Sequence, residues 1–167
     1  LLSGLERLAD CVIIAQTEFG SRKIMPRIEK SALVSYSAQQ MFDLVNDIDA
    51  YPQFVPGCVG ARVLEQGDDY KVASLDISKA GIRKSFTTRN QLRPPERIEM
   101  QLVDGPFKQL GGGWRFVPLA EDACKIQFEL DFEFSSRLLG MAFGKIFGEV
   151  TARMVDAFAE RAKQVYG

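Results

Sequence analysis

The chain has 167 residues, 46% of them apolar, and a formal net charge of −1. That length suits one domain with a sizeable core, and the near-neutral charge gives no global attraction to nucleic acid, so no DNA partner is expected. Histidine is absent, which removes Ser-His and Cys-His dyads, HExxH zinc sites and any base with an unperturbed pKa near neutrality. Composition therefore points away from catalysis. Cys11, Cys58 and Cys124 are odd in number and far apart with no CxxC pair. They argue against a disulfide framework or a metal site and for a reducing cytoplasm.

The first segment, "LLSGLERLADCVIIAQTEFGSRKI", precedes Met25. "CVIIA" is too short to span a bilayer, and the segment lacks the basic start and small-residue cleavage pattern of a signal peptide. Residues 1–24 are expected to be an extension outside the natural domain, with residues 25–167 forming that domain. The alternative is a short amphipathic helix docked on it.

From Ile28 the pattern settles. "RIEKSALVSY" reads as a strand, and Ser37 is placed to cap a helix over "AQQMFDLVND", whose Met41, Phe42 and Val45 form an apolar stripe. "IDAYPQFVPG" has two prolines and a glycine, which predict a loop or a single turn. The period then changes to two. "CVGARVLEQG", "DYKVASLDIS", "RKSFTTRNQL", "RIEMQLVDG", "GGGWRFVPL" and "CKIQFELDFEF" read as six strands joined by short turns. The last alternates Ile126, Phe128, Leu130, Phe132 and Phe134 against Gln127, Glu129, Asp131 and Glu133. Beyond Ser136 the period returns to 3.6, with Leu139, Phe143, Ile146, Phe147, Val150, Met154, Phe158 and Val165 on one stripe. One continuous helix to Tyr166 is predicted. An antiparallel meander needs its apolar face covered, and only this helix is long enough. The expected fold class is α+β, a curved antiparallel sheet wrapped around a long C-terminal helix.

Three features invite a chemical reading. Gly111-Gly112-Gly113 stands before the only tryptophan, but "WRFV" follows it in place of the Lys-Ser/Thr and helix that a phosphate loop needs. The glycines therefore predict a bulge, a sharp bend or space on the inner face of a strand. Glu129, Asp131 and Glu133 alternate against the phenylalanines and read as a solvated strand face. Gly140, Gly144 and Gly148 recur every four residues in the last helix, each costing about 1 kcal/mol relative to alanine. Close packing on the sheet or a deformable apolar cavity edged by Met141 and Met154 would each account for them.

The blocks "MPRIEKSALV", "LVNDIDAYPQFVPGC", "SKAGIRKSFTTRN", "LVDGPFKQLGGGWRF" and "LDFEFSSRLLGMAFGKIF" together resemble the RatA family. That family lies in the coenzyme-Q-binding branch of the START-like (polyketide cyclase and lipid transport) superfamily. The resemblance implies a helix-grip fold, in agreement with the meander and long helix. It also implies two functional traditions. One is binding of ubiquinone or a similar isoprenoid lipid between sheet and helix in support of respiration, with no covalent cofactor. The other is a ribosome-association toxin that binds the large ribosomal subunit and blocks its joining to the small one. It implies no catalytic residues, and it leaves peripheral contact with the inner membrane open.

On these grounds a non-enzymatic domain holding a hydrophobic small molecule is the first expectation. Phe86, Met100, Trp114 and Phe116 would line the sheet side and Phe143, Phe147 and Met154 the helix side, with Tyr51, Phe54 and Val55 on the loop at the entrance. The ribosomal alternative would use Lys79, Arg83, Lys84 and Arg89 in the middle strands together with the Tyr51 loop, making binding salt-sensitive. An aromatic cyclase would need Tyr, Arg or carboxylates gathered inside the cavity, and no such inward-facing set is legible in the strand patterns.

Overall fold

The computed structural model describes residues 27–167, so the reading of residues 1–24 lies outside the described residues. Strand β1 (Arg27–Val34) leads to helix α1 (Ala38–Asn46) and a 3-10 turn (Ile48–Gln53). Six strands follow: β2 (Cys58–Gln66), β3 (Tyr70–Lys79), β4 (Ile82–Arg93), β5 (Arg97–Asp104), β6 (Phe107–Ala120) and β7 (Ala123–Phe134). The chain ends in α2 (Arg137–Ala152) and α3 (Met154–Tyr166). The seven strands form one sheet in the order β1-β7-β6-β5-β4-β3-β2, and every neighbouring pair is antiparallel. This is a helix-grip fold.

Local chemistry sets the element ends. The Ser37 hydroxyl accepts from the Gln40 backbone N–H at 3.1 Å, and the Gln40 side chain accepts from the Ser37 N–H at 2.9 Å. This reciprocal cap satisfies two of the donors that a helix start leaves open. Helix α1 then buries Ala38, Met41, Phe42, Leu44 and Val45, each large side chain contributing about 1.5–3 kcal/mol by leaving water. At the other end of the domain the Ser136 hydroxyl accepts from Leu139 N–H at 3.1 Å and opens α2.

Register explains which strand residues reach the core. Leu92, Ile98, Trp114, Phe128 and Lys30 are successive Cα partners across β4, β5, β6, β7 and β1, forming one inward row. Lys30 ends that row at 5% exposure, and its ammonium reaches Asp156 of α3 at 3.3 Å. A buried cation without that carboxylate would be costly, so the pair fixes where α3 sits on β1.

The expected single C-terminal helix is corrected: it is two helices meeting at Arg153. The Thr151 hydroxyl donates back to the Phe147 carbonyl at 2.8 Å, and the Arg153 N–H reaches only three residues back, to the Val150 carbonyl at 3.2 Å. Such side-chain back-bonding bends helices and tightens the last turn. The apolar stripe gave no warning, because Val150, Met154 and Phe158 stay buried on both sides of the break.

The triple glycine is not a bulge, since the β5–β6 and β6–β7 registers run without a shift through Gly111 to Gly113. It is a place where three backbones close up. A Cβ on Gly112 would stand 2.1 Å from the Glu129 carbonyl oxygen, and one on Gly113 would stand 2.0 Å from that of Ile98. Both residues also have positive φ, 145° and 158°, a region that glycine alone enters readily.

The glycines of α2 differ in kind. A Cβ on Gly144 would meet Phe134 at an ordinary 3.5 Å, and one on Gly148 would meet nothing within 4 Å. Alanine at Gly144 and Gly148 together is expected to raise stability by about 1–2 kcal/mol, read as a higher denaturation midpoint.

Candidate functional site

The inward-facing rings fall into two groups. Under α2, Phe107 stacks on Phe134 at 5.0 Å, and Phe147 meets Phe107 at 4.9 Å, Phe132 at 4.8 Å and Phe86 at 5.8 Å. Phe143 joins through Phe134 at 6.0 Å. Under α1 and α3, Trp114 meets Phe128 at 4.7 Å and Phe158 at 5.1 Å, and it stacks parallel to Phe116 at 6.3 Å. Aromatic edges and faces at these separations attract beyond simple burial.

The residues expected to line a ligand space are thus divided between the groups. Phe86, Phe143 and Phe147 belong to the α2 group, and Trp114 and Phe116 to the α3 group. Trp114, Phe116, Phe143, Phe147 and Met154 are buried, while Phe86 and Met100 are half-buried against the core. Ring packs on ring between sheet and helices, so a ligand seated there would have to displace aromatic contacts. At the start of α2, Leu138 and Met141 stand 77% exposed, away from both groups.

The loop after α1 is anchored from beneath. Tyr51 is buried, its hydroxyl donates to the Val45 carbonyl, and burial pushes its pKa well above the ordinary phenol value. Val55 is also buried, and its N–H donates to the Tyr51 carbonyl at 2.8 Å. Phe54 behaves differently. One edge meets Phe158 at 5.0 Å, but the ring is only half-buried and the Arg161 guanidinium lies over it at 5.1 Å. Arg161 also donates to the Gln53 side-chain oxygen at 3.0 Å. Between this loop and α3 runs a groove of about 450 Å³ lined by Gln53, Phe54, Pro56, Arg153, Asp156, Ala157, Glu160, Arg161 and Gln164. Sequence reasoning found Phe54 but missed its α3 partners, because an exposed charged helix face carries no periodic signal.

The four basic residues expected to act together do not share one face. Alternation along β4 sends Arg83 and Arg89 to the outer side of the sheet and Lys84 to the side of Phe86, where it is half-buried. Lys79 is paired with Glu149 of α2. On the outer face, Arg89 lies 3.9 Å over the Tyr70 ring. Arg83 and Arg62 approach the Asp76 carboxylate at 3.0 and 3.5 Å. Hydrogen bonds from Ser85 and Arg83 hold the Asp76 carboxyl below its usual pKa.

A carboxylate lowered in this way adds stability that is complete above its unfolded value, about 3.9, and lost as pH falls through the lower folded value. Asp76→Asn is therefore expected to lower stability by about 1.5–3 kcal/mol near neutrality. The gap from the parent should close at acid pH, as measured by urea unfolding across that range.

No group of three or more Cys, Asp or Glu placed to hold a metal occurs among the described residues. Cys58 and Cys124 are buried, and burial pushes both thiols up to about 11. Neither is therefore a thiolate at neutral pH. Iodoacetamide at pH 8 is expected to label them only in denaturant, as peptide mass spectrometry would report. No described helix is long and apolar enough to cross a membrane.

Comparison with known proteins agrees with this geometry. Residues 34–159 match the family described as polyketide cyclase / dehydrase and lipid transport. The chain is 62% identical over 143 residues to the ribosome association toxin RatA of Vibrio cholerae serotype O1, covering 86% of this chain and 99% of the relative. It is 30% identical over 158 residues to the mitochondrial coenzyme Q-binding protein COQ10 homolog B of Xenopus laevis, covering 92% of this chain and 64% of the relative. The Zhui aromatase/cyclase of Streptomyces sp. R1128 shares the fold, with a TM-score of 0.72 at 20% identity over 86% of this chain and 98% of that one. The chain belongs to the polyketide cyclase / dehydrase and lipid transport family, and within that START-like superfamily to the RatA family.

Proposed function

We propose that this protein acts without catalysis on ribosome association, binding the large ribosomal subunit through its surface and hindering its joining to the small one. The observation that carries this reading is the 62% identity to a ribosome association toxin over 99% of that relative's length. A shared fold alone leaves function open, so the weight falls on that identity. The packing of Phe107, Phe132, Phe134 and Phe147 against one another supports a surface role. Such contacts fall mainly to charged and polar residues, so binding is salt-dependent. In a sucrose gradient of separated subunits the protein is expected to travel with the large one at low salt and leave it at high salt. Travel with neither subunit at low salt would refute the reading.

A hydrophobic ligand is the second reading, favoured by the resemblance to a coenzyme Q-binding relative at 30% identity. Its seat would be the space between β4–β7 and α2, where Phe86 and Met100 are only half-buried. Burial of an isoprenoid chain there would contribute about 25 cal/mol per Å², offset by the ring contacts it displaces. Solvent extraction of the purified protein followed by mass spectrometry is expected to recover ubiquinone or a similar lipid. An extract free of lipid, with no binding of added ubiquinone, would exclude it.

A further inference from the structure

The helices cover the sheet unevenly. Leu75, Phe86, Met100 and Leu102 face inward from β3, β4 and β5, none of which is an edge strand, yet all are only half-buried. An inward residue of an interior strand keeps such exposure only where the layer above it is incomplete. The inner face is therefore open over β3–β5.

Two polar side chains stand on this open stretch. Thr88 and Asn90 of β4 alternate with Arg89, so they share the inner side with Phe86 and Leu92, at 7% and 8% exposure. The Thr88 hydroxyl donates to the Asn90 side-chain oxygen at 2.8 Å. That bond leaves the Asn90 amide nitrogen with its N–H donors unspent, and they meet no acceptor among the described residues. Buried amides nearly always find one, and an exception calls for an explanation. Lys71, the neighbour of Asn90 on β3, is already engaged, its ammonium donating to the Asn46 carbonyl at 2.8 Å.

The position of Asn90 supplies the explanation. Lys71, Asn90, Met100, Gly112 and Leu130 are successive Cα partners across β3 to β7. This row runs between the Trp114 row and the rings under α2, and Gly112 within it carries no side chain. An apolar stretch with one set of placed donors is the arrangement that orients a greasy ligand by its head. N–H donors match an oxygen that only accepts, such as a carbonyl, and reject a cation.

We infer that Asn90 is the polar anchor of the inner face, donating to a carbonyl oxygen on the head of an otherwise apolar ligand. Thr88 is the positioning residue that fixes its amide. This rests on the hydrophobic-ligand reading and names the group that would orient such a molecule.

The test compares decylubiquinone, whose ring carries carbonyl oxygens, with decylbenzene, which has none, by equilibrium dialysis. Asn90→Leu keeps the size and removes the donors. It is expected to weaken decylubiquinone binding about tenfold and to leave decylbenzene within about twofold of the parent. Thr88→Val combined with Asn90→Leu replaces both partners by apolar groups of similar shape. Its denaturation midpoint should match or exceed the parent's, while decylubiquinone binding falls as in the single variant.

Equal decylubiquinone affinity in the parent and both variants would overturn the inference and leave the ligand reading standing. A loss shared equally by decylbenzene would overturn it too, by showing a change of packing rather than a missing hydrogen bond. A double variant that loses stability but binds like the parent would assign the pair to folding. If the parent takes up no decylubiquinone the anchor falls, and the ligand reading falls with it unless decylbenzene still binds.

Discussion

Alanine at Gly113 is expected to remove about 2–5 kcal/mol of folding stability, a large part of the 5–15 kcal/mol typical of a domain. The cause is steric and local. The added methyl would sit 2.0 Å from the Ile98 carbonyl oxygen, with the Glu99 Cα at 3.1 Å. These are backbone atoms of β5, so no side chain can rotate away to relieve the clash. The same change at Gly112 meets the backbone of β7 instead. Denaturation midpoints followed by circular dichroism should show both variants far below the parent. Gly111→Ala, whose methyl would meet only the Met100 carbonyl oxygen at 3.6 Å, should stay close to it. Equal loss at all three positions would contradict the close-approach account.

Phe158→Ala should have an effect of similar size, about 3–5 kcal/mol. This fully buried ring lies within 5.2 Å of Tyr51, Phe54 and Trp114, so it joins the 3-10 turn, the sheet and α3 at one point. Its removal leaves a cavity lined by rigid rings that cannot collapse to fill it. The single tryptophan is one of those rings, so its fluorescence should respond in the native state as well as in the unfolding curve. An unchanged emission spectrum with a small stability loss would mean that α3 is held mainly elsewhere, for instance by Lys30 and Asp156.

The contrast between these residues and the surface shows what the sequence could disclose. Strand alternation through Ile126, Phe128, Leu130 and Phe132 exposed the inward face of β7 directly, and the Ser37 and Ser136 caps lay where the periodic stripes began. The Arg153 break was hidden because it depends on a hydroxyl bond from Thr151, which leaves apolar spacing untouched. The glycine run could be recognised as structural, but the reason for it could not, since the atoms it accommodates belong to β5 and β7.

Trp114, Phe116, Phe143 and Phe147 were legible as buried aromatics, whereas Phe54 and Phe86 are half-buried. Their division into an α2 group and an α3 group required the register across five strands. Basic residues close in sequence proved the least informative: Arg83 and Lys84 are neighbours in the chain and lie on opposite faces of β4.

The central claim is that this protein acts on ribosome association through its surface. Purified large and small subunits, mixed at a magnesium concentration that favours joining, would be sedimented with and without stoichiometric protein freed of lipid. The joined-ribosome peak should fall and the separate subunits rise. An undiminished peak of joined ribosomes, with the protein folded and present in excess, would contradict the account.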